Sequence, residues 1–147
     1  MPNAPAPKMI FVNLPVKDLD ASIAFYEAVG AVRNADFCSE DSQMMSLSEA
    51  IHVMLLTHER FSSFTSRRIP DAHETAQVLL ALSEESRAAV DATTDKALAA
   101  GGTEPNPRQE HGFMYGRSFA DLDGHIWEVT WMDVEAALTT MRQEVTA

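Results

Sequence analysis

The chain has 147 residues, 46% of them hydrophobic, so it is long and apolar enough to form one domain with a sizeable core. Acidic residues outnumber basic ones 22 to 11, and the resulting net charge of −11 argues against nucleic acid and anionic membranes as partners. The only cysteine is Cys38, which excludes an internal disulfide, and no apolar run is long enough to span a bilayer. We therefore expect a cytoplasmic protein.

The first half of the chain shows one strand, one helix and three further strand patterns. Residues 1–8 are rich in proline and predict a disordered tail. A strand is expected from Met9 to about Val16, and a helix then begins after the N-cap candidate Asp18 and ends at Gly30. The apolar patterning next predicts three strands, at 31–38, 43–48 and 51–57.

Residues 58–73 interrupt this pattern with serines, a proline, three arginines and two phenylalanines. Their composition predicts a long loop rather than a regular element. Long loops in compact domains are often functional, and an ordinary solvated loop would not need the aromatic residues. We therefore expect this loop to be either a lid over a binding site or a contact between subunits.

The second half repeats the order of elements seen in the first. It predicts a strand at 77–83, a helix that ends at Gly101, a weaker strand near Thr103, strands at 113–119 and 124–131, and a final helix at 133–145. Either Ser83 or Ser86 caps the helix, and the turn sequence 121–124 joins the last two strands.

This repetition indicates an α+β fold with two βαβββ modules, 9–57 and 74–131, and an extra C-terminal helix. Neither module has enough elements to bury its own sheet face. Pairing of the two sheets would create a curved mixed sheet around a cleft for a small ligand. We expect residues 9–147 to form a single domain of this kind.

Two motifs show a resemblance to a known family. The segment FVNLPVKDLDASIAFY at 11–26 resembles the opening strand and helix of the glyoxalase/bleomycin resistance/dioxygenase superfamily, the vicinal oxygen chelate (VOC) proteins. The segment FADLDGHIWEV at 119–129 resembles the closing hairpin and last strand of that superfamily. The chain is most similar to a subgroup identified as predicted lactoylglutathione lyases. This resemblance implies the same two-module fold, a small-molecule ligand and a homodimer.

In the metal-using members of this superfamily, four inward-facing residues on four strands hold a divalent ion. Matching the motifs puts these positions at Phe11, at or near Leu55, near Leu79, and at Glu128. Three of these four side chains are apolar and offer no lone pair to a cation. The resemblance therefore implies no metal cofactor or, if one binds, a single divalent ion (Zn, Ni, Mn or Fe) with Glu128 as its ligand.

Glu128 is also the candidate catalytic residue. In an apolar pocket its carboxyl group would have a raised pKa and would act as a general base. The alternative is an acid that pairs with Arg117 or with a hydroxyl across the hairpin.

Further candidates come from the polar residues of the strands. Asn13 either hydrogen-bonds a ligand or satisfies the backbone at the bend of Pro15. Tyr115 and Arg117 share one strand face, and Arg117 either binds an anionic group of a ligand or serves as a surface charge or a partner of Glu128. The predicted substrate-binding residues are Phe11, Asn13, Leu55, Leu79, Tyr115 and Arg117.

Two functions follow from the resemblance. The first is an enzyme of the lyase or dioxygenase type, in which Glu128 is a metal ligand or general base. The second is a metal-free protein that binds and sequesters a small molecule, as bleomycin resistance proteins do. Apolar residues occupy three of the four metal-ligand positions, which favours the second function. The resemblance to predicted lactoylglutathione lyases favours the first.

Overall fold

The computed structural model describes residues 5–146. Of the predicted disordered tail, residues 1–4 lie outside the described residues. The chain divides into two compact units at the boundary between Pro70 and Asp71. Each unit has the strand–helix–three-strand order, which confirms the α+β fold with two βαβββ modules. None of the helices in residues 5–146 is long and apolar enough to cross a membrane.

The first unit is built on a four-stranded mixed sheet. Its elements are β1 (Ile10–Val16), α1 (Leu19–Val29), β2 (Val32–Ser39), β3 (Ser42–Ser46), β4 (Ile51–Thr57) and α2 (His58–Ser62). The strand order is β1-β4-β3-β2, and β1 runs parallel to β4 while the other pairs are antiparallel. This is the topology that a strand–helix crossover followed by a meander produces.

Helix α1 begins and ends as its sequence predicts. The side chain of Asp18 accepts a hydrogen bond from the backbone N–H of Ala21 at 3.1 Å, which satisfies one of the unpaired donors of the first turn. Gly30 ends the helix with φ of +113°, a conformation that favours glycine.

Part of the predicted loop at 58–73 is helical. Residues His58–Ser62 form the short helix α2, and the hydroxyl of Thr57 accepts from the N–H of Arg60 at 3.2 Å. A threonine N-cap was the signal for this turn, but five residues are too few to show a helical periodicity in the sequence. The remainder of the segment is irregular, as expected.

The second unit has a sheet of the same topology. Its elements are β5 (Leu80–Ser83), α3 (Arg87–Ala99), β6 (Gln109–Glu110), β7 (Met114–Ala120), β8 (Ile126–Met132) and α4 (Val134–Thr146). The strand order is β5-β8-β7-β6, with β5 parallel to β8. Ser86, one of the two predicted caps, accepts from the N–H of Ala89 at 3.0 Å.

Two strands of this unit differ from their predicted positions. Strand β5 begins at Leu80 rather than Gln77, and its first residue pairs with Trp127, close to the start of β8. The weak strand is β6, at 109–110, whereas Thr103 forms an isolated bridge with Ala120. The prolines at 105 and 107 separate these two pairings because they cannot donate to a ladder.

The turn between β7 and β8 is tightly specified. The carboxylate of Asp121 accepts from the backbone N–H groups of Asp123 and His125 at 3.0 and 2.9 Å. Gly124 has φ of +92°, and a Cβ at this position would lie 2.6 Å from the backbone nitrogen of His73. Only glycine fits there. The hydrogen bonds of Asp121 act within the turn, whereas the space at Gly124 is limited by the backbone of residues 72 and 73.

Candidate functional site

An open pocket of about 440 Å³ lies on the sheet of the second unit. Side chains in a strand alternate between the two faces, and cross-strand partners point to the same side. Glu128 pairs with Ser118, and Thr130 pairs with Gly116, so these four positions share one face. The pocket is lined by Asn106, Pro107, Gln109, Met114, Gly116, Arg117, Ser118, Glu128 and Thr130.

Glu128 is the acidic residue of this pocket. Its side chain is partly buried, and its carboxylate has no hydrogen bond or ion pair with any other residue in the part of the chain that the structure describes. Its neighbours on the floor are largely apolar or small. A carboxylate in this position is available to a ligand, because no protein cation neutralises it.

The segment before β6 forms one wall of the pocket and is held at three points. The carboxylate of Glu104 accepts two hydrogen bonds from Arg117, and the N–H of Asn106 donates to Ser118 Oγ at 3.2 Å. Gln109 then pairs with Gly116 across the β6–β7 ladder. The wall is therefore fixed to the strand that also forms the floor.

Gly116 lies in the floor of this pocket and has no side chain to fill it. A Cβ at position 116 would lie 3.2 Å from Thr130 Cγ2. The residue has an ordinary φ, so its backbone does not require glycine. The absence of a side chain leaves room in the pocket beside Glu128.

Arg117 borders the pocket, but its guanidinium is committed elsewhere. The side chain is only 3% exposed and forms ion pairs with Asp91 and Asp95 at 3.0 Å, and with Glu104 at 2.9 Å. Asp91 and Asp95 belong to α3, and α3 packs against β7. Arg117 pairs with Val129 in the sheet, one position from Glu128, so the two side chains point to opposite faces. Of the alternatives for Arg117, a pairing with Glu128 is therefore excluded, and its burial excludes a surface charge.

Tyr115 lies on the same face as Arg117 and joins the same network. Its hydroxyl donates to Asp91 Oδ1 at 2.7 Å. This hydrogen bond and those from Arg117 hold the pKa of Asp91 below its usual range. Hydrogen bonds from Arg117 likewise lower the pKa of Glu104, and burial together with Asp91 raises the pKa of Tyr115. The structure therefore brings Tyr115 and Arg117 together on the helix side, away from Glu128.

The first unit presents a different surface on its sheet. Phe11 pairs with His52 and Asn13 pairs with Met54 in the parallel ladder, so these four side chains share one face. Phe11 is 49% exposed and its ring stacks on that of His52 at 5.2 Å between centroids. This face carries no acidic or basic group among those four residues apart from the imidazole.

Leu55 does not share that face. It pairs with Leu14, three residues beyond Phe11, so alternation turns its side chain to the opposite side of the sheet. There it is fully buried, as are Val53 and Met45. Leu55 is therefore a core residue, whereas its neighbours Met54 and Leu56 lie on the face of Phe11.

His52 was not among the predicted ligand-binding residues, although it faces the same way as Phe11. Its Nδ1 is 2.8 Å from Ser46 Oγ, and its Nε2 is 3.1 Å from the carbonyl oxygen of Glu49. A carbonyl only accepts, so Nε2 carries a proton and donates. Both ring nitrogens are thus engaged, and neither offers a free lone pair to a cation.

Leu79 lies directly before β5 and is 54% exposed. Ala81, two residues later, pairs with Glu128. Alternation therefore puts Leu79 on the side of the sheet that carries Glu128. It adds hydrocarbon rather than a polar group to that side.

The metal ion used by the family does not fit the residues at these positions. Phe11 and Leu79 have no donor atom, Met54 offers a soft thioether, and Glu128 is a single carboxylate. Among residues 5–146, no group of three or more His, Cys, Asp or Glu side chains is arranged to hold a metal ion. No chemical step is therefore assigned to a metal ion.

Sequence reasoning missed most of the pocket lining. Ser118 and Gly116 follow from the turn at 121–124, because a tight hairpin places Ala120 opposite Ile126 and then fixes every later pair. Asn106 and Gln109 could not be found in this way, since they reach the pocket from an irregular segment. No local pattern in the sequence marks that segment as a pocket wall.

Comparisons with known proteins agree with this architecture. A sequence model described as "Glyoxalase/Bleomycin resistance protein/Dioxygenase superfamily" matches residues 8–129. No curated protein sequence is significantly similar to the chain.

Solved structures with a similar fold include three that illustrate its range. A hypothetical protein from S. aureus is 25% identical with a TM-score of 0.73, over 86% of this chain and 95% of that one. A glyoxalase/bleomycin resistance protein/dioxygenase family enzyme from Burkholderia phytofirmans is 20% identical with a TM-score of 0.70, over 86% and 99% of the two chains. The fosfomycin resistance protein FosX from Listeria monocytogenes, complexed with Mn(II) and sulfate ion, is 20% identical with a TM-score of 0.67, over 90% and 96%.

Proposed function

The chain belongs to the glyoxalase/bleomycin resistance protein/dioxygenase superfamily, and from that premise we propose that it binds a small organic molecule, without a resident metal ion, in the pocket that contains Glu128. The observation that carries this proposal is the unpaired carboxylate of Glu128 on a floor made of small and apolar residues. Phe11, Met54 and Leu79 lie at or next to the positions that hold the metal ion in metal-using members of the family. They support the proposal because they offer an apolar contact surface rather than ligands for a cation.

The pocket chemistry defines the kind of ligand. A carboxylate that has lost part of its water shell is best satisfied by an ammonium group or by N–H and O–H donors. Met114, Gly116 and the methyl group of Thr130 provide contacts for an apolar body. The net charge of −11 also raises the local concentration of cations around the protein. The proposed ligand is therefore a compact molecule with an apolar body and a cationic or hydrogen-bond-donating group.

A matched pair of substitutions tests this proposal. Benzylamine and its neutral analogue benzyl alcohol are titrated into the wild type, Glu128→Gln and Glu74→Gln while NMR shifts are followed. Glu74 is an exposed acid of the same unit that does not line the pocket, so it controls for net charge. We expect Glu128→Gln to weaken amine binding about tenfold or more, since charge-assisted hydrogen bonds contribute about 1.5–3 kcal/mol. Equal affinities in all three proteins would contradict the proposal.

The second candidate function is an enzyme of the lyase or dioxygenase type. It is favoured by the same carboxylate, because a general base must be free to accept a proton from a substrate. The resemblance to predicted lactoylglutathione lyases suggests the hemithioacetal of methylglyoxal and glutathione as a first substrate. In this case Glu128→Ala would abolish activity while leaving the fold unchanged.

Metal analysis and one assay distinguish the two functions. Protein purified without chelators is analysed for Zn, Ni, Mn and Fe, and then assayed with the hemithioacetal before and after each ion is added. Binding without catalysis predicts substoichiometric metal and no turnover under any condition. A stoichiometric ion together with ion-dependent turnover would replace the binding proposal by the enzymatic one.

A homodimer, which the family resemblance implies, and a cytoplasmic location, which the single cysteine favours, complete the proposal. Analytical ultracentrifugation at several protein concentrations tests the dimer directly. A sedimentation coefficient that corresponds to 16.2 kDa throughout would contradict it.

A further inference from the structure

A second cavity, of about 470 Å³, lies in the first unit within residues 58–69. The residues that line it include Arg67, Arg68, His58, Ser62 and Ser66. Glu59 also borders it and is the one acid among the lining residues. The remaining lining residues are Thr65 and Ile69, so donors of hydrogen bonds dominate the cavity.

The charge of this segment is opposite to that of the chain. Three of the 11 basic residues but only one of the 22 acidic residues fall within 58–69. Arg33, Arg87 and Arg117 share one arrangement, in which each forms an ion pair with Glu or Asp.

Arg67 and Arg68 do not share it. Neither forms an ion pair or a side-chain hydrogen bond within the described range 5–146. Both side chains are exposed. The backbone N–H of Arg67 donates to Thr65 Oγ1 at 3.3 Å, which closes a turn around Ser66. Two guanidinium groups are thus presented without a protein counter-ion beside free hydroxyl groups.

We propose that residues 58–69 form a binding site for the oxyanion group of a small molecule, with Arg67 and Arg68 as its main ligands. Guanidinium groups match the geometry of phosphate and carboxylate oxygens and bind them by charge-assisted hydrogen bonds. Ser62 and Ser66 add neutral donors. Two cationic groups at one cavity favour a doubly charged oxyanion over a single carboxylate, and the carboxylate of Glu59 offsets part of their charge. This site is independent of the pocket at Glu128.

The test uses the intact protein and three probes at constant ionic strength. Inorganic phosphate, phenyl phosphate and succinate are titrated by calorimetry, and backbone NMR shifts locate the binding. The variants are Arg67→Gln/Arg68→Gln and, as a control, Arg60→Gln. Arg60 belongs to the same segment, but its guanidinium lies over the ring of Phe64 at 4.9 Å and does not line the cavity.

We expect saturable binding of phosphate and phenyl phosphate, with shifts confined to 58–69. The double variant should lose about tenfold or more in affinity, which corresponds to about 1.4 kcal/mol, and Arg60→Gln should change it less than about threefold. Stronger binding of succinate than of phosphate would identify the oxyanion as a dicarboxylate. Absence of saturable binding up to about 50 mM, or an equal loss in both variants, would overturn the proposal. All three arginines are exposed, so unfolding of the variants is not expected.

Discussion

The sheets of the two units have the same strand order and the same parallel pair, yet the faces that carry Phe11 and Glu128 differ in chemistry. The face of the first unit has an aromatic ring stacked on an imidazole whose two nitrogens are already hydrogen-bonded. The face of the second has a carboxylate with no described protein partner above a floor that Gly116 keeps open. One topology therefore provides an apolar contact surface in one unit and a polar recognition group in the other.

The opposite faces of the two sheets differ as well. In the first unit this face is filled by apolar residues, among them Val53 and Leu55. In the second unit it holds the buried Arg117 with its three carboxylate partners. Apolar residues such as Val129 and Phe119 pack this face in the second unit as well, and the ion pairs of Arg117 add a link between the floor and the wall of the pocket.

The largest effect is expected in the first unit, from Leu55→Ala. Leu55 has no exposed surface, so its truncation removes buried methyl groups and leaves a cavity that costs about 3–4 kcal/mol of unfolding free energy. The matched variant Phe11→Ala should cost about 1 kcal/mol or less, because Phe11 is 49% exposed. Urea denaturation measures both values. Similar losses in the two variants would mean that Leu55 is not a core residue.

A somewhat smaller effect is expected in the second unit, from Arg117→Ala. Removal of the guanidinium leaves three carboxylates close together and should cost about 3 kcal/mol, at the low end of the range for buried ion pairs because Asp91 and Asp95 remain in contact with water. The wall that contains Asn106 loses one of its three links to β7, the one through Glu104, so the affinity of the pocket for amines should fall too.

Arg33→Ala is the control for this substitution. Its ion pair with Glu27 joins two largely exposed side chains, so it should change unfolding by about 0.5 kcal/mol or less. A loss of stability in Arg117→Ala with unchanged amine affinity would show that the network supports the fold but not the pocket.

The smallest effect concerns acid pH. The pKa values of Asp91 and Glu104 are lowered in the folded protein, by Tyr115 and Arg117 respectively, so these groups stabilise the fold above their ordinary pKa values near 4. That stabilisation is lost as the pH falls below about 4 and through the lowered folded values. Denaturation between pH 7 and 3 should therefore show a smaller acid-induced loss in Asp91→Asn than in the wild type.

Asp36→Asn is the control for the pH series. Asp36 is an exposed acid of the first unit, so its removal changes the net charge without touching the network. Protonation of other acids relieves the repulsion within this acidic chain and acts in the opposite direction. Identical acid profiles for the wild type and Asp91→Asn would contradict a stabilising role for the network.

Several features of the fold could be predicted from local sequence because their causes lie within a few residues. Asp18 and Gly30 delimit α1 by capping it, and Asp121 shapes the last hairpin by hydrogen bonds to the backbone of the turn. The repeated order of elements and the two motifs predicted the α+β fold and the superfamily, and both are confirmed. Helix α2 was missed because one helical turn has no periodicity to detect.

The candidate site was less accessible to sequence reasoning. Leu55 was a candidate for contact with a ligand, but side chains alternate in a strand, so Leu55 is a core residue while Met54 and Leu56 on either side of it share the face of Phe11. The partners of Arg117 lie 13 to 26 residues away along the chain, on α3 and in the segment before β6. No local pattern could have shown that they, and not Glu128, neutralise its charge.

The sequence by itself determined the order of the longer helices and strands, the bounds of α1, the superfamily, and the apolar character of the residues at most of the family's ligand positions. Only the tertiary structure decided which of those residues share a face and which charges are paired. The physical reason is that capping, turns and periodicity act over a few residues. Register and ion pairing join segments that meet only when the sheet and its helix have packed together.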